Sequence, residues 1–347
     1  MTNAQAPQAE QPKQKSDRRV LEVKNLKTYL YTRWGTTQAV DDISFYLNEG
    51  ESLGIVGESG CGKSMTAVSL MRLPPRPAGR IIAGEIILDG TDILQLNEEE
   101  MRTFRGNKIS MILQDPHASL NPVFTVGNQL MEAVTTHLKE KLNKPQVIDR
   151  AVDALRMVQV AAPERRMHDY PHQMSGGMKQ RVVGAMAIAS RPKVLIADEP
   201  TTALDVTIQA QYLRLLRRIQ EETGVSIIFI THDFGVVAKM CDRAVVMYAG
   251  KIVEQGTTRQ LFNNPAHPYT QALMASVPKM EEHVEKLYSI EGSPPTLYNL
   301  KPGCRFAARC PLVDDRCRTE YPPDYNGPDG HTAACWRLEG KWQPSLS

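Results

Sequence analysis

Short apolar runs alternate with helix-like segments along most of the chain, from Leu21 to about Gly256. Segments such as "KSMTAVSLMRL" carry the apolar spacing of a helix. Unbroken apolar runs are typical of strands buried on both faces, and their alternation with helices predicts an α/β fold with a mainly parallel sheet. The strand-sized runs are "ESLGIVG", "KISMILQD", "KVLIADEP", "SIIFITHD" and "RAVVMYAGKIVEQG".

This pattern is interrupted at three places. Residues 1–18 are polar and rich in Gln and Pro, which predicts a disordered tail before a main domain over 19–260. Between Pro122 and Gln173 the chain carries charged, helix-like stretches and no strand candidates, so a helical insert is predicted at about 120–180. Over 261–347, Pro, Gly and Cys replace the alternation, which predicts a small C-terminal extension.

Composition excludes several classes of protein. The chain is 41% hydrophobic and 23% charged, with a formal net charge of +2. We expect no nucleic-acid partner, because that would require a clustered basic face. No run approaches the roughly 18 apolar residues of a membrane span, and the N-terminus lacks the apolar core of a secretion signal. These features predict a soluble cytoplasmic protein.

A phosphate-binding loop is predicted at "GESGCGKS", which fits the pattern G-x-x-x-x-G-K-[ST]. Its glycines allow consecutive backbone N–H groups to surround phosphate oxygens, and the following helix directs its positive end at them. Lys63 is expected to reach the β- and γ-phosphates, and Ser64 to bind Mg²⁺. The predicted ATP-binding residues of this loop are Gly57, Glu58, Ser59, Gly60, Cys61, Gly62, Lys63 and Ser64.

Two further strands deliver polar side chains to the same edge of the predicted sheet. "VLIADEP" ends in Asp198, a carboxylate placed to hold Mg²⁺, and Glu199 follows it, where it can polarise an attacking water. "IIFITHD" ends near His232, which is a candidate sensor of the γ-phosphate. These residues predict a site for phosphoryl transfer.

The order of these motifs resembles that of the ABC-type ATPases over about residues 20–260: "GESGCGKS", "LQDP", "MSGGMKQR", "LIADEP", "TTALD" and "THD". The resemblance implies a P-loop NTPase fold of the ABC ATPase type with a helical subdomain. It implies that Gln114 contacts ATP and Mg²⁺ and senses a transport subunit. It also implies that Glu199 is the general base, that Asp205 belongs to an inter-subunit loop, and that His232 is a catalytic switch.

A second anion-binding segment, "MSGGMKQR", is explained by the same resemblance. In this family two subunits pair head to tail, so that the signature motif of one closes on ATP held by the P-loop of the other. Here the signature would be Ser175, Gly176 and Gly177. A hydroxyl and free N–H groups at the start of a helix suit a γ-phosphate.

The adenine contact is left open by the sequence. In the family an aromatic ring stacks on adenine at the position of Leu30, which here lies between Tyr29 and Tyr31. Because a strand alternates its faces, the two tyrosines share one face and Leu30 lies on the other.

The C-terminal part resembles the oligopeptide/dipeptide importer branch of the family. "HPYTQALMASVP" and "GSPPTLYNLKPGCRFAARCP" carry this resemblance over about residues 260–340, and "GGM" is similar to the first, D-type ATPase of such systems. The resemblance implies a heterodimer with a related F-type ATPase, two membrane permease subunits and an extracytoplasmic solute-binding protein. It places the chain at the cytoplasmic face of the inner membrane.

Four of the six cysteines lie in this extension, in the pattern C-x5-C-x6-C-x17-C. In a cytoplasmic protein such a group favours metal or redox chemistry over disulfides. The resemblance favours a 4Fe–4S cluster, and zinc and unliganded thiols are the alternatives. The predicted ligands are Cys304, Cys310, Cys317 and Cys335.

The predicted function is an ATP-hydrolysing subunit that drives import of dipeptides, oligopeptides or related solutes. The same role in an importer for oligosaccharides or metal chelates is an alternative. A soluble ABC ATPase outside transport is a further alternative, although such proteins usually carry a long coiled coil or two cassettes, and this chain has neither.

Overall fold

The computed structural model describes residues 16–137, 142–202, 204–276 and 289–342. Most of the predicted N-terminal tail therefore lies outside the described residues. None of the described helices has the length and apolar character that crossing a bilayer would require.

The described residues form twelve strands, and their bounds follow the chain. They are β1 Arg19–Thr32, β2 Gly35–Asn48, β3 Ser52–Val56, β4 Gly79–Leu88, β5 Thr91–Asp92, β6 Ile109–Ile112, β7 Val194–Asp198, β8 Ser226–Thr231, β9 Arg243–Tyr248, β10 Lys251–Thr257, β11 Tyr325–Asn326 and β12 Thr332–Ala333.

Twelve α-helices and three short 3-10 helices connect these strands within the described residues. The α-helices are α1 Lys63–Leu70, α2 Glu98–Phe104, α3 Pro116–Ser119, α4 Val126–His137, α5 Lys144–Met157, α6 Pro163–Arg166, α7 Gly176–Ile188, α8 Val206–Thr223, α9 Phe234–Met240, α10 Thr258–Asn263, α11 Pro268–Ala275 and α12 Asp315–Thr319. The 3-10 helices are Pro171–Gln173, Pro328–Gly330 and Trp336–Leu338.

The main sheet has eight strands in the order β11-β12-β10-β9-β3-β8-β7-β6. The five strands from β9 to β6 are parallel, as the apolar runs predict. The run "RAVVMYAGKIVEQG" contains two strands, because the chain turns at Ala249 and Gly250 and β10 returns antiparallel to β9. The carboxyl ends of β3, β7 and β8 consequently meet at one edge, where the candidate site lies.

A second sheet of four antiparallel strands, in the order β2-β1-β4-β5, covers one side of the molecule. The apolar runs do not predict it. In β2, buried residues such as Ile43, Phe45 and Leu47 alternate with more exposed ones, which gives the two-residue period of a strand packed on one face.

Two cores fill the two faces of the main sheet. On β3 the side chains of Leu53 and Ile55 pack toward the second sheet and α1, whereas Val56 packs on the opposite side with the helices. On β8, Ile228 and Phe229 divide in the same way. Burial of both faces is the reason that these strands read as continuous apolar runs.

Four helices, α3 to α6, occupy the segment between β6 and α7, and among the described residues this segment contains no strand. Helices α4, α5 and α7 pack on one another through Leu130, Leu155 and Val182. Asn143 caps α5 by accepting a hydrogen bond from the backbone N–H of Gln146, which fixes the start of that helix.

The C-terminal extension is joined to the main sheet. Strand β12 pairs with β10 through Glu254 and Ala333. The buried carboxylate of Glu254 accepts hydrogen bonds from the backbone N–H groups of Ala266 and His267 at 2.7 and 2.8 Å, and it lies 2.7 Å from Nε2 of His331. These contacts satisfy a carboxylate that would otherwise be costly to bury, and they fix the extension to β10.

Candidate functional site

A cavity of about 660 Å³ lies at the carboxyl ends of the parallel strands. It brings together residues from the P-loop, from the ends of β6, β7 and β8, from the second sheet and from the extension. The lining residues are Leu30, Thr37, Ala39, Gly57, Glu58, Ser59, Gly60, Gly62, Lys63, Ser64, Met65, Gln114, Glu199, His232, Phe234, Leu273 and Leu297. Of the eight P-loop residues predicted to bind ATP, only Cys61 is absent from this lining, and its side chain is buried.

The P-loop glycines are required by close backbone approaches. A Cβ atom on Gly57 would lie 2.2 Å from the carbonyl oxygen of Met247, and one on Gly62 would lie 2.3 Å from that of Ala39. Both glycines also have positive φ angles, of 154° and 111°. The loop therefore rests directly on β9 and β2, and its shape is fixed by the backbone around it.

Lys63 begins helix α1, and its ammonium group is held inside the loop. Its Nζ donates hydrogen bonds to the carbonyl oxygens of Gly57 and Glu58 at 2.8 and 3.0 Å. The side chain is almost fully buried. A cation that is already ordered in this way needs little further ordering to bind an anion at the centre of the loop.

Ser64 lines the cavity, and it contacts Asp198, which is buried and is not one of the lining residues. The Ser64 hydroxyl donates to Oδ1 of Asp198 at 3.2 Å. Burial raises the pKa of the Asp198 carboxyl, the Ser64 hydrogen bond opposes that rise, and the charge of Glu199 adds to it. A nearby cation would remove this penalty by stabilising the charged form.

Glu199 is the centre of a polar network. One of its carboxylate oxygens, Oε2, accepts hydrogen bonds from Nε2 of Gln114 at 2.9 Å and from the hydroxyl of Thr202 at 3.0 Å. The other oxygen, Oε1, lies 3.2 Å from Nδ1 of His232. The sequence motifs assign a role to Gln114, Glu199 and His232. Thr202 lies in the "TTALD" motif, but the motif assigns it no role. The network holds the carboxylate at the cavity wall.

The backbone of Glu199 is in the left-handed region, with φ of 43°. Residues other than glycine rarely adopt this backbone conformation, and the conformation persists only where the surrounding structure enforces it. Here the N–H of Glu199 donates to the carbonyl oxygen of Ile230 at 2.8 Å, across to the neighbouring strand. The chain bends at Glu199, directly after the end of β7.

The predicted signature residues do not line this cavity. Ser175 is exposed and caps α7, since its Oγ accepts a hydrogen bond from the N–H of Met178 at 3.3 Å. A Cβ atom on Gly176 would meet nothing within 4 Å, whereas one on Gly177 would lie 3.1 Å from Ile208. The start of α7 is therefore an exposed helix N-terminus separate from the P-loop of the same chain.

Gln180 connects this helix to the loop that follows Glu199, a contact that the motif alone does not predict. Its side chain is buried, and its Nε2 donates to the carbonyl oxygen of Pro200 at 2.9 Å. Asp205 lies farther along the same loop and caps α8, because its Oδ1 accepts a hydrogen bond from the N–H of Ile208 at 3.0 Å.

Leu30, rather than either neighbouring tyrosine, lines the cavity. The hydroxyl of Tyr29 donates to Oδ1 of Asp41 at 2.7 Å. Tyr31 is 44% exposed and lies beneath the guanidinium of Arg80. The alternation of faces along β1 thus separates Leu30 from both aromatic rings.

Arg309 of the extension is paired with the P-loop. Its guanidinium donates to both carboxylate oxygens of Glu58, at 2.7 and 3.0 Å, and its side chain is only 4% exposed. The N–H of Glu58 also donates to the hydroxyl of Tyr269 at 2.9 Å. No local sequence pattern predicts a contact between residues so far apart along the chain.

The four cysteines of the extension line one small cavity of about 20 Å³, together with apolar side chains such as Phe306 and Trp336. Burial raises the pKa of the Cys304 thiol to about 12 and that of Cys335 to about 11, and the pKa values of the other two are raised for the same reason. The predicted ligands Cys304, Cys310, Cys317 and Cys335 are all unpaired thiols.

This arrangement does not support the predicted metal site. Within the described residues, no group of three or more His, Cys, Asp or Glu side chains is placed to hold a metal ion. Burial favours the neutral form of these thiols, and they share their cavity with apolar groups, whereas metal ligation requires thiolates converging on one point.

Comparison with known proteins identifies the family of this chain. A family model described as "ABC transporter" matches residues 40–202, and one described as "Oligopeptide/dipeptide transporter, C-terminal region" matches residues 253–317. A "Probable peptide ABC transporter ATP-binding protein" of Sinorhizobium fredii is 50% identical over 319 residues, covering 92% of this chain and 95% of that protein. This chain belongs to the ABC transporter ATP-binding proteins. A "Dipeptide transport ATP-binding protein" of Bacillus subtilis is 49% identical over 318 residues, covering 92% and 94% of the two chains.

A solved structure confirms the fold of this ABC ATPase. The dimeric ATP-binding cassette described as a post-hydrolysis state with ADP and phosphate has a TM-score of 0.61 and 26% sequence identity to this chain. The match covers 69% of this chain and 99% of that one. Because the whole of the smaller cassette is matched, the rest of this ABC ATPase is additional to it.

Replacing Arg309 by methionine is expected to weaken the P-loop. The change removes the ion-pair partner of the half-buried Glu58 carboxylate. Loss of one member of a buried ion pair destabilises a protein by about 3 kcal/mol. Thermal unfolding should show a lower Tm, and titration with ATP should show weaker binding. Arg316→Met is the matched control, because Arg316 pairs with Glu320 and Glu339 at the exposed surface of the same extension. Equal effects of the two changes would contradict the prediction.

Proposed function

We propose that this chain hydrolyses ATP as one subunit of a peptide importer, and that it does so in a site completed by a second ATPase subunit. The observation that carries the proposal is the single cavity that holds the P-loop, Lys63 and the Glu199 network together. The matching family model of the C-terminal region and the functions named for the relatives support the peptide class of solute.

The phosphate end of ATP fits the P-loop. Lys63 and the loop N–H groups offer positive charge to the β- and γ-phosphates. Glu199 is positioned to accept a proton from a water that attacks the γ-phosphate, and His232, on the other side of its carboxylate, is positioned to contact that phosphate. The chain's contribution is therefore mostly positioning and charge stabilisation.

Mg²⁺ fits three oxygen donors, of which Ser64 and Gln114 line the cavity and Asp198 is buried beside Ser64. We assign it to the hydroxyl of Ser64, the side-chain oxygen of Gln114 and the carboxylate of Asp198, the last through water. Hard divalent cations prefer such oxygen ligands, and two of the three groups already lie 3.2 Å apart. Bound Mg²⁺ would neutralise negative charge on the phosphates during transfer.

A second subunit is part of the proposal because Ser175 is exposed, Gly176 and Gly177 are partly exposed, and all three lie outside the cavity of their own chain. We propose that they bind the γ-phosphate of ATP held by the partner and that Asp205 lies near the same contact. The dimeric arrangement of the similar cassette supports this assembly. The proposed partner is a related F-type chain, as in importers with two different ATPases.

The remaining partners follow from the importer function. We propose two membrane permease subunits, an extracytoplasmic solute-binding protein, and a location at the cytoplasmic face of the inner membrane. Closure of the ATPase dimer on two ATP molecules would move the permeases, and hydrolysis would let the dimer reopen.

Reconstitution tests the whole proposal. The chain is combined in liposomes with its F-type, permease and solute-binding partners, and ATP hydrolysis and uptake of labelled di- and oligopeptides are measured. Peptide-stimulated hydrolysis with uptake is the expected result, and Lys63→Ala should abolish both. Stimulation by an oligosaccharide or a metal chelate instead of peptides would overturn the peptide assignment.

The 4Fe–4S cluster is a narrower proposal that rests on the resemblance of the extension alone. It requires the four thiols to lose their protons and to move toward one point. Protein purified without air is expected to be brown and to contain iron, whereas zinc would leave it colourless. Four thiols that react freely with a thiol reagent, in protein without either metal, would contradict any cluster.

A further inference from the structure

The extension contributes an apolar wall to the nucleotide cavity. Leu297 lines the cavity together with Leu30, although the two residues come from opposite ends of the chain. The N–H of Gln38 donates to the carbonyl oxygen of Leu297 at 2.8 Å, and Thr37 and Tyr298 form an isolated antiparallel bridge. The extension therefore pairs with β2 at the point where β2 borders the cavity.

This pairing is fixed by a close approach at the start of β2. A Cβ atom on Gly35 would lie 2.4 Å from Cε2 of Tyr298, so that only glycine leaves room for the ring. Gly35 also has a φ of 129°, which other residues rarely adopt. The ring of Tyr298 on Gly35 and the backbone bond to Gln38 hold Leu297 between them.

The position of this wall suits the base of a nucleotide. Ala39 approaches Gly62 of the P-loop through its carbonyl oxygen, and Thr37 lies two residues away along the same strand. Two residues of a strand span about 7 Å. Leu30 pairs with Thr37 on the neighbouring strand, so the two leucines flank the part of the cavity just beyond the phosphate loop.

We propose that Leu297 of the C-terminal extension, together with Leu30 on the other edge of β2, forms the subsite for the adenine base. The proposal rests on ATP being bound at the P-loop, as proposed above. It replaces an aromatic stack within the cassette by two aliphatic side chains, one of which belongs to the extension. Burial of the flat apolar faces of the base against them supplies the affinity.

The test compares ATP with inorganic tripolyphosphate, which carries the phosphates but no base. Leu297→Ala is expected to weaken ATP binding about tenfold, since it removes apolar groups that would be buried against the base. Binding of tripolyphosphate should stay unchanged. Leu30→Ala should show the same selective loss, and Leu297→Met should keep most of the wild-type affinity. Calorimetric titration measures all of these dissociation constants.

Leu300→Ala is the control, because Leu300 lies in the same segment but does not line the cavity; it should leave both ligands unaffected. Unchanged ATP affinity in Leu297→Ala would overturn the inference. Equal weakening of ATP and tripolyphosphate would also overturn it, because that result would indicate a disturbed P-loop. Wild-type protein that binds neither ligand would instead refute the proposed ATPase function itself.

Discussion

Replacing Glu199 by glutamine is expected to lower the rate of ATP hydrolysis about a thousandfold while ATP binding is kept, because general-base catalysis typically contributes 10²- to 10⁴-fold. The carboxylate contacts Gln114, Thr202 and His232, and in the mechanism proposed above it is the group that takes a proton from water. An amide of the same shape preserves the packing but is not a base. The variant should therefore collect in the ATP-bound, dimeric state.

Steady-state hydrolysis and size-exclusion chromatography in the presence of ATP, with the F-type partner added, measure the two effects. Glu221→Gln makes the same change of charge at an exposed position of helix α8 and should behave as the wild type. Normal turnover by Glu199→Gln would remove Glu199 from the role of general base.

Replacing Gly176 by aspartate is expected to inactivate the site of the partner subunit and to spare the site of its own chain. A Cβ atom at this position meets nothing within 4 Å, and an acidic residue in the first turn of a helix favours the helix itself. The variant should therefore fold normally. Its carboxylate would nevertheless face the γ-phosphate of the partner's ATP, and loss of such anion stabilisation lowers turnover about a hundredfold.

The assay uses a photoreactive ATP analogue that becomes trapped only in a closed, turning-over site, in dimers whose two chains differ in size. With Gly176→Asp, labelling should disappear from the partner and persist on the variant chain. Lys63→Ala is the matched control, and it should remove labelling from its own chain. If Gly176→Asp removed the label from its own chain while the partner stayed labelled, the composite site would be excluded.

The sequence predicts the centre of the site better than its edges. The P-loop, Asp198 and His232 follow ends of buried strands, and strand ends are where continuous apolar runs give way to polar residues. The second sheet is not predicted, because its strands are buried on one face only and lack such runs. Pairs such as Arg309 with Glu58, or Leu297 with Gln38, depend on how distant segments pack, which no local pattern encodes.

The cysteines of the extension show a second limit of prediction from the sequence. Their spacing predicts a common location, and all four do line one cavity. Spacing does not determine the direction in which the sulfur atoms point, because that depends on packing. It also does not determine whether the thiols are ionised, because that depends on burial. In the described residues, burial favours neutral thiols.

The hydrogen bond from Gln180 to Pro200 couples the position of α7 to that of the loop that follows Glu199. The first turn of α7 faces outward, and the next turn is anchored to the residue directly after Glu199. Pushing the helix tip inward must either carry that loop along or leave a buried amide without its acceptor, at a cost of about 1–3 kcal/mol. In the dimer proposed above, contact of the partner with the start of α7 would therefore be coupled to the loop that carries Glu199 of the same chain.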